Sequence, residues 1–506
     1  MDLIIAILPI ISIFILLFLL KQSSLRAAVA SYCIAVAITL FTSTFKLLPN
    51  RIFHASFKGM LISFIVAYVL FFGIFLFHLM NKSGAIDVLA AYISNATNDK
   101  LLQVIILVIG LSPLIESASG FGTAFLVIAP ILIALGFHPF KAAMIGLISL
   151  LAVPWGALAT GMVVGSELGN ISLQKVGIGS AMMSMPIFVY FFVIAMYIAG
   201  GKKAIKDKWK EILFFSITFG LSVLFFNTYV SVELAGVLAS LITTSLGVGW
   251  MKRTNTNHAK KLPSESSLSE LSATLADKNF SILRVMSPYL LLTFFIFISR
   301  LIPSVQHFLE SHAVIDLPAY SYTFPLLYSP GFWLFISCLF AIVIFQIKKE
   351  AVFAAFLLTI KQWTPFFIST TAFVSMAEVM AEAGMTMHLA HILATTFGTS
   401  FLFISPFIGG LGGFLTGSNA GSNAMFIKLQ IQTANTLGTS PDLYTYIQNT
   451  SASHASMASP SRVMLGALLC GIPHAENKLL KSVSLAVFGS LCIVIAMALG
   501  WLYFLS

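Results

Sequence analysis

Apolar positions in this chain come in long runs, and their length sets the fold class. From Leu3 onward, stretches of roughly 20 predominantly apolar residues recur, each long enough as a helix to cross about 30 Å of hydrocarbon. Clear runs lie at 3–20, 27–48, 60–80, 179–200, 211–228, 232–250, 283–302, 331–346, 364–384 and 482–505. Strands of a membrane barrel would be half that length and would alternate apolar with polar positions, a pattern these runs lack. The expected class is an all-α polytopic membrane protein.

Polar interruptions inside apolar stretches carry the functional signal. The stretch from Leu101 to Phe137 is apolar at both ends and broken in the middle by Pro113, Glu116, Ser117, Ser119, Gly120 and Gly122. From Ser405 to Phe426 the chain reads SPFIGGLGGFLTGSNAGSNAMF, with Pro406, five glycines between Gly409 and Gly417, then Ser418, Asn419, Ser422 and Asn423. Two further runs, about 141–165 and 447–470, are interrupted by Pro154 with Gly156 and by Pro460. Non-helical backbone at membrane depth is tolerated only where protein buries it or where it lines a watery cavity, because an unpaired amide in lipid costs several kcal/mol or so. The two glycine-rich breaks are therefore candidate binding elements.

The breaks also belong to an internal repeat. Ser112, Pro113, Ile115, Gly120, Phe121 and Thr123 correspond at constant spacing to Ser405, Pro406, Ile408, Gly413, Phe414 and Thr416. Upstream, Met80, Gly84, Leu89 and Ala90 match Met380, Gly384, Leu389 and Ala390; downstream, Leu135, Gly136 and Pro139 match Leu437, Gly438 and Pro441. Three matches in the same order point to duplication. The expected organisation is a first repeat over 1–200 with its break at about 101–137, a connecting helix pair over 201–250, a polar cytoplasmic linker over 251–282, and a second repeat over 283–506 with its break at about 399–436. A segment rich in Tyr, Phe and Pro, Ser304 to Pro330, is expected to be a capping loop outside the membrane.

If each break is a re-entrant hairpin that does not cross, about twelve transmembrane helices remain; the roughly five crossings of the first repeat and the two connecting spans make about seven between corresponding points of the copies, an odd number, so the second is inverted. If each break is instead two full crossings, the loops keep much the same sides. Charge then sets the orientation. The chain has a net charge of +10 with 28 basic residues, and these cluster in short loops between runs, as orientation in a membrane requires; nucleic-acid binding is not expected. Placing the lysine-rich loop 202–210 and the linker in the cytoplasm puts both termini outside and leaves only Lys46, Arg51, Lys58, Lys175 and Arg300 on the outer side. With 58% hydrophobic and 9% charged residues the chain departs far from a soluble domain. The four cysteines fall inside apolar runs at no metal-ligand spacing, so neither disulfides nor a metal site is expected. The opening MDLIIAILPI has no basic stretch ahead of its apolar run, so no cleaved signal is expected.

Inverted repeats with one broken element each are the layout of a secondary transporter whose site lies at mid-membrane. A helix that begins inside the membrane presents free amide hydrogens and a partial positive charge, which suits an anionic carboxylate. Small residues let a ligand approach the backbone, and Ser, Thr and Asn hydrogen-bond to it. The candidate substrate-binding residues are Ser117, Ser119, Gly120, Phe121, Gly122, Thr416, Gly417, Ser418, Asn419, Ser422 and Asn423. For any one of the glycines, close helix packing is an equally good account. Glu116 is the first proton-carrier candidate, since an ionisable group at mid-membrane costs roughly 2.5–3.5 kcal/mol and proton uptake relieves it; a basic partner such as Arg462 would also satisfy it. Glu378, four residues before Glu382 on one helix face, is a second proton-coupling candidate. His454 reads as a packing residue. The chain has no GxSxG for an intramembrane hydrolase and no GxxxxGK[ST] loop for ATP, so neither enzymatic activity nor a cofactor is expected.

ESASGFG at Glu116 to Gly122, the LVIAPILIALGFHPFKA that follows, FLTGSNAGSNAMF at Phe414 to Phe426, and the run from Thr450 through Ser459-Pro460 together resemble the L-lactate permease family. The resemblance covers nearly the whole chain. It implies a proton-coupled importer of short 2-hydroxymonocarboxylates, L-lactate, D-lactate and glycolate, in the cytoplasmic membrane of a bacterium, with homodimerisation open. It also implies the fold of the ion-transporter superfamily, in which a transport domain with re-entrant hairpins moves against a scaffold. The matching positions are Glu116, Gly120, Phe121, Gly122, Thr416, Gly417, Ser418, Asn419, Ser422 and Asn423. The alternative function is sodium-coupled transport or exchange of another small carboxylate.

Overall fold

The computed structural model describes residues 2–96, 99–120, 122–255 and 281–504. Among them the chain is almost entirely helical, and the one sheet is a two-stranded antiparallel hairpin of Val314–Leu317 and Tyr322–Pro325. Ten helices are long and apolar enough to cross a membrane, or up to eleven if the bent pair Pro139–Ile148 and Val153–Gly169 is one span. The apolar helices Asp2–Leu17 and Pro330–Ile344 are shorter than a full span, which is where this count departs from the expected twelve or so. The protein is an all-α polytopic membrane protein, as its apolar runs predict.

Two helices of 34 residues, Pro49–Lys82 and Lys349–Glu382, pack along each other through the middle of the molecule. Small residues make that approach close: Gly59 packs directly on the backbone of Ser375, whose hydroxyl donates to the Ser56 carbonyl at 2.9 Å. Trp363 Nε1 donates to the Ala67 carbonyl at 2.8 Å further along. Each of these helices is followed by a left-handed glycine, Gly84 or Gly384, and then by a shorter helix, Ala85–Ala96 or Met385–Phe397.

Both glycine-rich stretches break, but at a single point each. In the first, helix Lys100–Ile106 continues through a π-helical turn, Leu107–Leu111, into Ser112–Ser119, and only Gly120 to Gly122 interrupts it before Thr123–Ala134. Pro113 follows directly on the π-helical turn, the kind of local irregularity at which a helix takes up a proline. In the second, helix Phe401–Thr416 runs straight through Pro406 and four glycines, breaks at Gly417 and Ser418, and resumes as Asn419–Thr436. The two arms fold back antiparallel: Ser422 Oγ donates to the Gly409 carbonyl at 3.0 Å, and Gln430 Nε2 donates to the Ser405 carbonyl at 3.0 Å. The glycines inside the first arm let it lie against Pro441–Ala455. A Cβ on Gly413 would run into the Ala452 carbonyl oxygen.

Two expectations need correction. The stretch Ser304 to Pro330 is not a plain loop, since it holds helix Pro303–Ser311 and the β-hairpin, whose Tyr322 and Phe324 pack on Leu61. The linker is shorter than 251–282, because helix Val232–Asn255 continues through its first residues; most of the remainder lies outside the described residues.

Candidate functional site

The two breaks meet. A cavity of about 40 Å³ is lined by Glu116 and Gly120 from the first, by Gly417, Ser418, Asn419 and Ala420 from the second, and by Leu70 and Phe366 from the two long helices. Its remaining wall comes from two further breaks: Val153, Gly156, Ala157, Thr160 and Gly161 in the bent pair Pro139–Ile148 and Val153–Gly169, and Arg462 just after the restart at Pro460. One water needs roughly 10–15 Å³, so a volume of this order holds about three. A larger cavity of about 520 Å³ shares Phe366, Gly417, Ser418 and Arg462 with it and extends past Gln362 and Thr416 to Ser23, Ser24 and Leu25.

Local backbone explains each position. Gly120 takes φ +67° and ψ −162°, a conformation open essentially to glycine alone, and a Cβ there would press on Ala157. The helix that restarts at Thr123 has no cap from its own Gly122; instead the Glu116 carboxylate reaches forward and accepts from the Gly122 N–H at 2.9 Å through Oε1. Its Oε2 is buried without a partner. Opposite, Ser418 caps Asn419–Thr436 by accepting from the Gly421 N–H at 3.1 Å, and Thr416 Oγ1 accepts from the Ser418 N–H at 3.2 Å, which pins the tip. Ala157, Leu158 and Ala159 all take left-handed dihedrals, φ 38°, 55° and 67°, so the bent pair stores strain where it borders the cavity.

Arg462 is the cation of the site. It is 8% exposed, donates through Nη1 to Ser456 Oγ at 3.1 Å, and packs its guanidinium against Gly122. Although Arg462 and Glu116 share the cavity, they make no ion pair within 4 Å among the described residues. Fixed positive charge, a carboxylate with one free oxygen and a helix N-terminus thus face one small space.

The sequence-predicted residues divide. Glu116, Gly120, Gly417, Ser418 and Asn419 line the small cavity, and Thr416 lines the larger one. Ser117 packs away from it, against Gly236, and Ser119 Oγ turns back to the Ile115 carbonyl at 2.5 Å. Gly122 backs onto Arg462, while Ser422 and Asn423 support the tip from below: Asn423 Nδ2 donates to the Gly161 carbonyl at 2.9 Å, and Gln448 Nε2 donates to Ser422 Oγ at 3.1 Å. Phe121 lies outside the described residues. Glu378 is outside the cavity, paired with Lys428 at 2.7 Å and Lys58 at 3.6 Å. His454 is packed among Phe188 and Phe191 with Ser184 Oγ at 3.4 Å.

Sequence reasoning offered Arg462 only as a partner for Glu116 and missed its place in the cavity wall. The signal was present, since it is the one basic side chain in the apolar run 447–470 apart from the histidine. Nothing in the local pattern marks Leu70, Thr160, Gly161 or Phe366, which reach the cavity through packing alone.

Four helix breaks converge on one small cavity beside the two long helices, within a polytopic membrane protein. The chain belongs to the L-lactate permease family, whose model matches residues 2–505. It is 26% identical to an L-lactate permease of Salmonella typhi over 94% of this chain and 91% of that protein. It is 27% identical to a glycolate permease of Escherichia coli K12 over the same shares, and 28% identical to an L-lactate permease of Streptococcus iniae over 86% of this chain and 92% of that protein. With its membrane-spanning helices, this places the chain in a bacterial inner membrane as a multi-pass protein.

Proposed function

We propose that the chain carries L-lactate, and with it D-lactate and glycolate, into the cell together with a proton. The observation that carries this reading is the shared cavity of Arg462 and Glu116, held by two opposed helix breaks. With Arg462 charged and Glu116 ionised, the empty cavity is close to neutral. A bound carboxylate leaves one negative charge unbalanced at mid-membrane, where charge is costly, and a proton on Glu116 removes it. The empty site and the site with anion plus proton are then both neutral, whereas the site with anion alone is not. Coupling follows from that difference, because only the neutral states cross readily.

Alternating access has a physical basis in the same elements. The larger cavity opens from the site toward Ser23 to Leu25, beside Lys21 and Arg26, the basic and hence cytoplasmic end. On the other side Glu378, Lys428 and Lys58 tie the second hairpin to the two long helices. The matching order of elements in the two halves, a 34-residue helix, a short helix, a broken pair and a bent span, supports two repeats, and the antiparallel pairing of the two long helices, Arg51 with Glu382 and Ala67 with Trp363, supports their inversion. Uptake of labelled lactate into proteoliposomes tests the reading: an inward acid gradient drives accumulation, and a protonophore abolishes it. Accumulation driven by sodium alone rejects it and favours the second reading, sodium coupling, for which the oxygen-rich tip at Ser418 and Asn419 speaks.

A further inference from the structure

The amides behind the second tip can be oriented from one fixed end. The Gly161 carbonyl only accepts, so Asn423 must face it with its NH2 group, at 2.9 Å. The same NH2 donates to Asn449 Oδ1 at 2.9 Å, while Asn449 turns its own NH2 to Ser180 Oγ at 2.8 Å. With the Asn449 oxygen so placed, Asn419 can meet it only as a donor, and does so at 2.9 Å. The free end of the ladder is therefore Asn419 Oδ1. It has no hydrogen-bond partner, in a side chain only 6% exposed that lines the cavity with Arg462 and Glu116.

The charged groups of the cavity answer a carboxylate. What they leave over is one neutral acceptor for which the protein supplies no donor, and whose orientation the ladder forbids to reverse. We propose that Asn419 Oδ1 accepts a hydrogen bond from the 2-hydroxyl of the bound acid and so separates 2-hydroxy acids from 2-oxo acids and plain carboxylates of the same size. This rests on the transport function proposed above. Pyruvate and propionate keep the carboxylate and the size but bring no hydroxyl hydrogen, so they leave the oxygen unpaired; lactate and glycolate satisfy it.

The experiment is counterflow of labelled L-lactate in proteoliposomes of the full chain, which needs no ion gradient, with unlabelled glycolate, propionate and pyruvate as competitors. The unmodified protein is expected to prefer lactate and glycolate by about tenfold or more. In Asn419→Ala the preference falls below about threefold through a raised KM for lactate, with inhibition by propionate unchanged. Asn419→Thr keeps an oxygen, retains part of the preference and replaces the alanine variant if that one does not fold. Equal inhibition by propionate and lactate in the unmodified protein, or an unchanged preference in Asn419→Ala, overturns the assignment and leaves the transport function standing. A change in sodium dependence without a change in preference also overturns it, in favour of a cation at Oδ1. Absence of any lactate counterflow overturns both.

Discussion

Glu378 and Lys428 meet at 2.7 Å where the long helix Lys349–Glu382 passes the second arm of the glycine-rich hairpin. Lys58 of Pro49–Lys82 stands 3.6 Å from the other carboxylate oxygen, so one buried acid joins three elements. Breaking a buried pair from one side leaves a bare charge and costs about 3–5 kcal/mol, whereas removing both partners is nearly neutral. Lys428→Met is therefore expected to lower the thermal midpoint in detergent markedly, with Glu378→Gln/Lys428→Met recovering most of the loss. Additive effects in that double variant would show that the pair is not coupled.

Glu116→Gln keeps the acceptor that holds the Gly122 N–H and removes the titratable oxygen. Accumulation of lactate under an inward acid gradient is expected to vanish, while counterflow continues. In the unmodified chain accumulation rises as the outer solution is made more acid than the lumen. Full accumulation by the variant rejects Glu116 as the proton's carrier.

Arg462 presents a planar fork inside the cavity, and lysine reproduces its charge but not its geometry. Arg462→Gln removes the buried cation proposed to meet the substrate anion and is expected to weaken lactate binding by about 2–5 kcal/mol. Arg462→Lys should fall between, with KM raised about tenfold. Binding in the lysine variant as tight as in the unmodified protein would place the substrate elsewhere.

Gly413→Ala puts a methyl group into the Ala452 backbone, and overpacking of this kind costs typically about 1–3 kcal/mol. Gly500→Ala meets nothing within 4 Å and is expected to be neutral or slightly stabilising, since alanine is the better helix former. Thermal unfolding of the two side by side checks this.

The fold class was legible because a membrane span must be both long and apolar, a requirement that acts locally and leaves its mark in every run from Leu3 onward. The break at Gly120 was legible for a similar reason: only glycine takes that backbone, and polar residues cluster where helices stop inside a membrane. The four glycines from Gly409 to Gly413 misled in position. They serve a close approach to Ala452, and a glycine inside a helix looks the same in sequence as one that ends it. Ser422 and Asn423, candidate ligands by sequence, make their hydrogen bonds behind the tip and are not among the residues lining the small cavity. What faces the cavity depends on how separate elements are turned against one another, and local pattern carries no record of that rotation. By itself the sequence determined the all-α class, the apolar spans and the approximate place of both breaks, with Glu116 in the first. Only the tertiary structure decided that Arg462, Leu70, Thr160 and Phe366 join the breaks around one space, because such neighbours meet through packing between residues hundreds of positions apart.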